Sequence, residues 1–117
     1  MNESLKVLSE MEGITGLCVH RGGIIKWQRL PDSLSNDQAG ALCSAINRAF
    51  TSYASAERPL TEAWFGFGSQ HILVITRPPE TPGAAPDTFM TLLLNDRSAA
   101  PAAARGALEF LKSGAVR

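Results

Sequence analysis

Residues 61–76 form a hydrophobic stretch, TEAWFGFGSQHILVIT, that constrains the fold more than any other part of the sequence. One run rich in aromatic residues and one rich in aliphatic residues flank Gly68 and Ser69, and glycine supplies the backbone conformations that tight turns need. The second run, residues 71–77, is nearly all apolar, as expected of a strand covered on both faces. The stretch therefore predicts a β-hairpin with one outer strand and one central strand.

The chain before this hairpin predicts a helix and another hairpin. Apolar residues recur at helical spacing from Leu5 onward, and Gly13 ends the pattern. The runs ITGLCVH and IIKWQRL then flank an Arg-Gly-Gly turn, which is typical of two antiparallel strands.

A long middle helix follows, and its apolar stripe is unusually wide. Ser35, Asn36 or Asp37 can cap the helix, which extends to about Ala56. One sheet covers only one side of a helix, so we expect part of the stripe to contact another surface. Its main line is Leu42, Ile46, Ala49 and Tyr53, and beside it lie Ala39, Cys43 and Phe50.

The last third of the sequence predicts one more strand and one more helix. The connection RPPETPGAAPD has four prolines and a glycine and cannot pair regularly. TFMTLLLND gives a fifth strand, and a final helix is capped by Ser98 and ended by Gly114. The order of elements, helix-strand-strand-helix-strand-strand-strand-helix, predicts an α+β fold.

Size and charge exclude several classes of protein. At 117 residues the chain fits a single domain, residues 1–117. Eleven Lys and Arg residues balance eleven Asp and Glu residues, so there is no broad positive field and we expect no nucleic-acid partner. The start, MNESLKVLSEMEG, is unlike a signal peptide, and no run reaches the ~18 apolar residues of a membrane span. We expect a cytoplasmic protein without membrane insertion.

The residues that usually carry chemistry are scarce. Two cysteines and two histidines, without CxxC or HxxxH spacing, do not make a zinc site. Cys18 and Cys43 could pair, but the absence of an export signal favours reduced, buried thiols. Neither His20 nor His71 has a carboxylate at a spacing that would orient it as a base. We therefore expect no enzyme, and no catalytic, cofactor-binding or metal-binding residue.

Both hairpins carry a resemblance to a known family. The segments IxGLCVxRGGII and LTEAWFGFGSQHILVIT, with the order of elements, resemble the roadblock / dynein light chain family over residues 5–111. The resemblance implies a profilin-like, five-stranded antiparallel sheet in the order 2-1-5-4-3, with the terminal helices on one face and the middle helix on the other. It also implies a non-enzymatic dimer that binds or regulates small Ras-like GTPases, or an adaptor in motor and signalling assemblies.

In such a sheet, the aromatic run of the second hairpin is an edge strand. An apolar edge without lysine or proline is prone to aggregate unless it is paired. Pairing with its own copy across a two-fold axis would hide this edge and bring two long helices together. The predicted interface of the homodimer is Ala39, Cys43, Ile46 and Phe50 of the middle helix with Ala63, Trp64, Phe65 and Phe67 of the edge strand.

Two alternative functions remain open from the residues alone. One is a small-molecule sensor of profilin-like or PAS-like fold, which needs a cavity of about 300 Å³ or more between sheet and helix. The other is a small enzyme that uses His71 as a base.

Overall fold

The computed structural model describes residues 2–21, 23–52, 62–67, 70–77 and 87–113. Three helices and five strands lie within these residues. In chain order they are α1 (Asn2–Ser9), β1 (Ile14–Arg21), β2 (Ile24–Arg29), α2 (Asn36–Ser52), β3 (Glu62–Phe67), β4 (Gln70–Thr76), β5 (Thr88–Leu94) and α3 (Ala100–Lys112). The predicted turn at Gly68, the Pro-rich connection, the predicted end of the middle helix near Ala56 and the stop at Gly114 lie outside the described residues.

The strands form one antiparallel sheet in the order β2-β1-β5-β4-β3. The predicted topology is therefore confirmed. The strands β1, β5 and β4 occupy the middle of the sheet, and every residue of β5 is buried. Continuous burial is what a strand covered on both faces requires.

Alternate residues of the central strands feed two separate cores. On one face, Leu17, Leu73 and Leu92 pack with residues of α1 and α3. On the other face, Ile72 and Phe89 pack with residues of α2. Because successive side chains of a strand point to opposite faces, this division follows from the period of two in the sequence. The terminal helices thus share one face of the sheet and α2 covers the other, as predicted.

Hydrogen bonds to the backbone define where α2 and α3 begin. Ser35 caps α2 in a reciprocal capping box, since its hydroxyl accepts from the amide of Gln38 and its own amide donates to the Gln38 side chain. Before α3, the carboxylate of Asp96 accepts from the amide of Ser98 at 2.9 Å and starts a short 3₁₀ turn. The prediction that Ser98 caps the final helix was wrong, because the polar cap sits one turn earlier.

Candidate interaction surface

The four α2 residues of the predicted interface lie inside the chain. Ala39, Cys43, Ile46 and Phe50 are each 1–2% exposed, and all four face the sheet. Phe50 packs edge-on against Phe89 of β5 at a ring distance of 5.2 Å. The structure thus corrects this part of the interface, because side chains buried in the core of one chain cannot line a contact between two chains.

The extra width of the α2 stripe is covered from within the same chain. Half-buried Leu42 of α2 packs against the second core together with Leu30 and Leu34, from the connection that precedes the helix. Leu30 lies just past the end of β2 and Leu34 lies outside any helical or strand period, so the sequence pattern did not show that they cover α2. The stripe by itself therefore requires no second copy.

The side of α2 that faces away from the sheet carries small and charged residues. Asp37, Ala41, Ser44 and Arg48 recur at intervals of four, three and four residues, and all four are exposed. At about 100° per residue, they form one line on the helix opposite the buried residues. The middle of this line, Ala41 and Ser44, has short side chains, and the Ser44 hydroxyl lies beside Gly23 in the turn between β1 and β2.

The two edges of the sheet differ in how well they are protected. On β2, Lys26 and Arg29 place positive charge in the strand, and the pairing with β1 shifts between Val19 and His20. Charges and a bulge are the usual devices that keep an edge from pairing further. On β3 the pairing with β4 is regular from Glu62 to Phe67, and the strand contains no Lys, Arg or Pro. Of the two edges, β3 is the one open to pairing.

Exposed aromatic side chains lie on both faces of β3. Trp64 is 42% exposed and Phe65 is 37% exposed. Trp64 pairs with Leu73 on the α1/α3 face, where the guanidinium of Arg97 lies 6.0 Å from its ring. Phe65 pairs with Ile72 on the α2 face, where Ala63 is half-buried beside the second core. The side chain of Phe67 lies outside what the structure describes.

Within the described residues, the structure offers little for catalysis or metal binding. No cluster of three or more His, Cys, Asp or Glu side chains there could hold a metal ion. Half-buried His71 of β4 pairs with Gly66 of β3. His20 is fully buried between α2 and the sheet. Over the same residues, no helix is long and apolar enough to cross a bilayer.

The sensor hypothesis lacks its cavity in the described part of the chain. Between α2 and the sheet lies a space of about 10 Å³, lined by residues that include Cys18, Cys43, Leu34 and Leu42. Ligand pockets are commonly about 300 Å³ or larger. The larger spaces found among the described residues are open grooves: one between α1 and α3, one beside α3 and Glu62, and one along the connection between β2 and α2.

Together, the strand order and the placement of the helices on the two faces of the sheet are those of the roadblock-like fold that the sequence resemblance implies. Two solved structures share this fold: one of MglB with a tetrameric arrangement, and one of the gliding protein MglB from Thermus thermophilus. Each aligns with 92% of this chain and 88% of its own, with a TM-score of 0.59 and 13% sequence identity. The sequence itself matches no family model and none of the curated proteins. At 13% identity the likeness shows the fold.

Proposed function

We propose that the protein is a non-enzymatic, cytoplasmic homodimer that scaffolds or regulates a small Ras-like GTPase or another signalling or motility partner. The observation that carries the proposal is the unprotected apolar edge of β3 in a roadblock-type fold. The likeness to MglB, a gliding protein, supports a partner that acts in motility. The tetrameric arrangement of one MglB structure supports self-association of this fold.

In the proposed dimer, β3 of each copy pairs across a two-fold axis. The interface then includes the β3 strand, with Ala63 and Phe65 on its α2 face and Phe67 at its end, and the exposed line of α2 that begins at Asp37. Edge pairing satisfies backbone groups of β3 that have no strand partner among the described residues. It also removes Phe65 from water. Trp64, on the opposite face next to Arg97, lies on the same edge strand and stays part of the proposed interface.

The dimer is tested by placing one positive charge on each edge of the sheet. Phe65→Lys puts lysine on β3, and Ile24→Lys is the matched control on β2, where Ile24 is 66% exposed. By light scattering, we expect the wild type and Ile24→Lys to have the mass of a dimer and Phe65→Lys to have that of a monomer. If Phe65→Lys is folded and still dimeric, β3 is not the contact.

The GTPase proposal is tested by nucleotide exchange and hydrolysis. Small Ras-like GTPases from the same genome are purified, and their rates are measured with and without this protein. We expect at least one of them to change its exchange or hydrolysis rate. An unchanged rate for every candidate would reject the GTPase as the partner, while the mass measurements would still decide the dimer.

A further inference from the structure

Two cysteines and a histidine meet in the core between α2 and the sheet. Cys18 and His20 are two residues apart on β1, so both side chains face α2. Cys43 approaches from α2, and its Sγ lies 3.7 Å from the Sγ of Cys18. Both thiols are free, and each cysteine is 2% exposed. The two sulfurs are thus already in contact.

The surroundings hold the histidine in place. The Nε2 of His20 lies 3.1 Å from the Oγ1 of Thr91 on β5. The imidazole is stacked on the ring of Phe89 at a centroid distance of 5.0 Å and an interplanar angle of 13°. A ring fixed on two sides keeps its orientation toward α2.

The two thiols differ in acidity. A hydrogen bond with the Cys18 thiol, assisted by His20 and opposed by burial, lowers the pKa of Cys43. The same hydrogen bond, with burial, raises the pKa of Cys18. These directions favour Cys43 as the thiol that ionises more easily, and the thiolate is the reactive form of cysteine.

We propose that Cys18 and Cys43 are a redox-active dithiol that hydrogen peroxide converts to an intramolecular disulfide between β1 and α2. The bond requires the sulfurs to move from 3.7 Å to roughly 2.05 Å. The contact joins residues 25 positions apart, so the product would tie the middle helix to the sheet.

The size of the neighbouring space favours a small oxidant. The cavity of about 10 Å³ beside both sulfurs is lined by Leu30, Leu34 and Leu42, which are half-buried and separate the thiols from solvent. A space of this size holds about one water molecule. Hydrogen peroxide is little larger than water, whereas a glutathione disulfide would need α2 to leave the sheet.

The reaction balances in two steps. The Cys43 thiolate attacks one peroxide oxygen, the O–O bond breaks, and the products are the Cys43 sulfenic acid and hydroxide, which takes a proton to become water. The Cys18 sulfur, as it loses its proton, then attacks the sulfur of the sulfenic acid, and the S–O bond breaks to release a second water. Each sulfur loses one electron, and peroxide accepts two.

The test treats the full chain with hydrogen peroxide and then counts the thiols under denaturing conditions. We expect the two free thiols to fall to none, the mass to decrease by two hydrogens, and peptide mapping to link Cys18 with Cys43. With Cys18→Ser, dimedone added at the denaturing step should trap a sulfenic acid on Cys43. With Cys43→Ser, Cys18 should remain a thiol.

Three results would overturn the proposal. The first is a native wild-type protein that keeps both thiols in excess peroxide while the guanidinium-unfolded chain loses them. The second is a disulfide that joins two chains, seen as a doubled mass on a non-reducing gel. The third is a Cys43→Ser variant whose Cys18 oxidises as fast as the wild-type pair. Because the first two use the wild-type chain, they do not depend on whether either variant folds.

Discussion

The proposed two-fold contact predicts that Asp37 of each copy faces Arg48 of the other. The exposed line of α2 repeats at residues 37, 41, 44 and 48, the spacing of helices that pack at about 20°. Two antiparallel copies of this line match when the axis passes between Ala41 and Ser44, because that point is also midway between Asp37 and Arg48. Neither charged residue takes part in a salt bridge among the described residues.

The expected effect of reversing one charge follows from this symmetry. Each exposed ion pair contributes about 0.2–1 kcal/mol, and the two-fold axis produces it twice. Asp37→Arg turns two attractions into two repulsions of similar size. The total change is about 2 kcal/mol, so the dimer should dissociate roughly 30-fold more readily.

A dilution series in the analytical ultracentrifuge measures this change. Asp37→Arg and Arg48→Asp should each weaken the dimer, and the double variant should restore it because the pairs are exchanged. Glu109 of α3 is an exposed helical carboxylate like Asp37, so Glu109→Arg is the control for the change in net charge. The single-variant effects should shrink in high salt, where exposed charges are screened. Normal dimerisation of both single variants, or failure of the double variant to recover, would refute the register.

Three further predictions concern stability. Gly13→Ala should destabilise the fold by more than about 2 kcal/mol in urea unfolding, because φ is +89° there and the new Cβ would lie 2.5 Å from the Cβ of Ala99. The control Gly66→Ala should cost less than half as much, because a Cβ there meets nothing within 4 Å. Ser35→Ala should cost about 1 kcal/mol in the same assay by removing the hydroxyl that caps Gln38. The peroxide-oxidised protein should melt on the order of 10 °C above the reduced one, because closing a loop of 25 residues contributes about 3.5 kcal/mol. An unchanged melting temperature would show that the bond strains the native state.

The sequence supported the fold well where the pattern was local. The runs on either side of the Arg-Gly-Gly turn and the apolar runs of β4 and β5 were sufficient to identify strands, and the run of β4 also predicted its burial. The order of the strands came from the resemblance to a family, because local patterns do not say which strands are neighbours. The cap of α3 was misassigned because Ser98 and Asp96 both suit the role, and the intervening 3₁₀ turn leaves no periodic signal.

The candidate interface was harder to predict for a different reason. Helical periodicity shows that Ala39, Cys43, Ile46 and Phe50 must be buried, but it does not show what buries them. The structure gives that role to the sheet of the same chain. Any contact of α2 with a second copy must then use the polar side of the helix. A dimer built this way relies on the β3 edge for apolar contact and on small and charged α2 residues for register.

The thiol pair shows a second limit of a linear sequence. Cys18 falls on a buried strand and Cys43 on a buried helical stripe, so each is explained separately as a small core residue. Only the crossing of α2 over β1 brings the sulfurs to 3.7 Å and places His20 beside them. If the two thiols only filled space, replacing either one by alanine or serine would leave the other equally unreactive toward peroxide. In the proposed reaction, attack belongs to Cys43, whose pKa the Cys18 thiol and His20 lower, and resolution to Cys18, so the two single variants should behave differently toward peroxide.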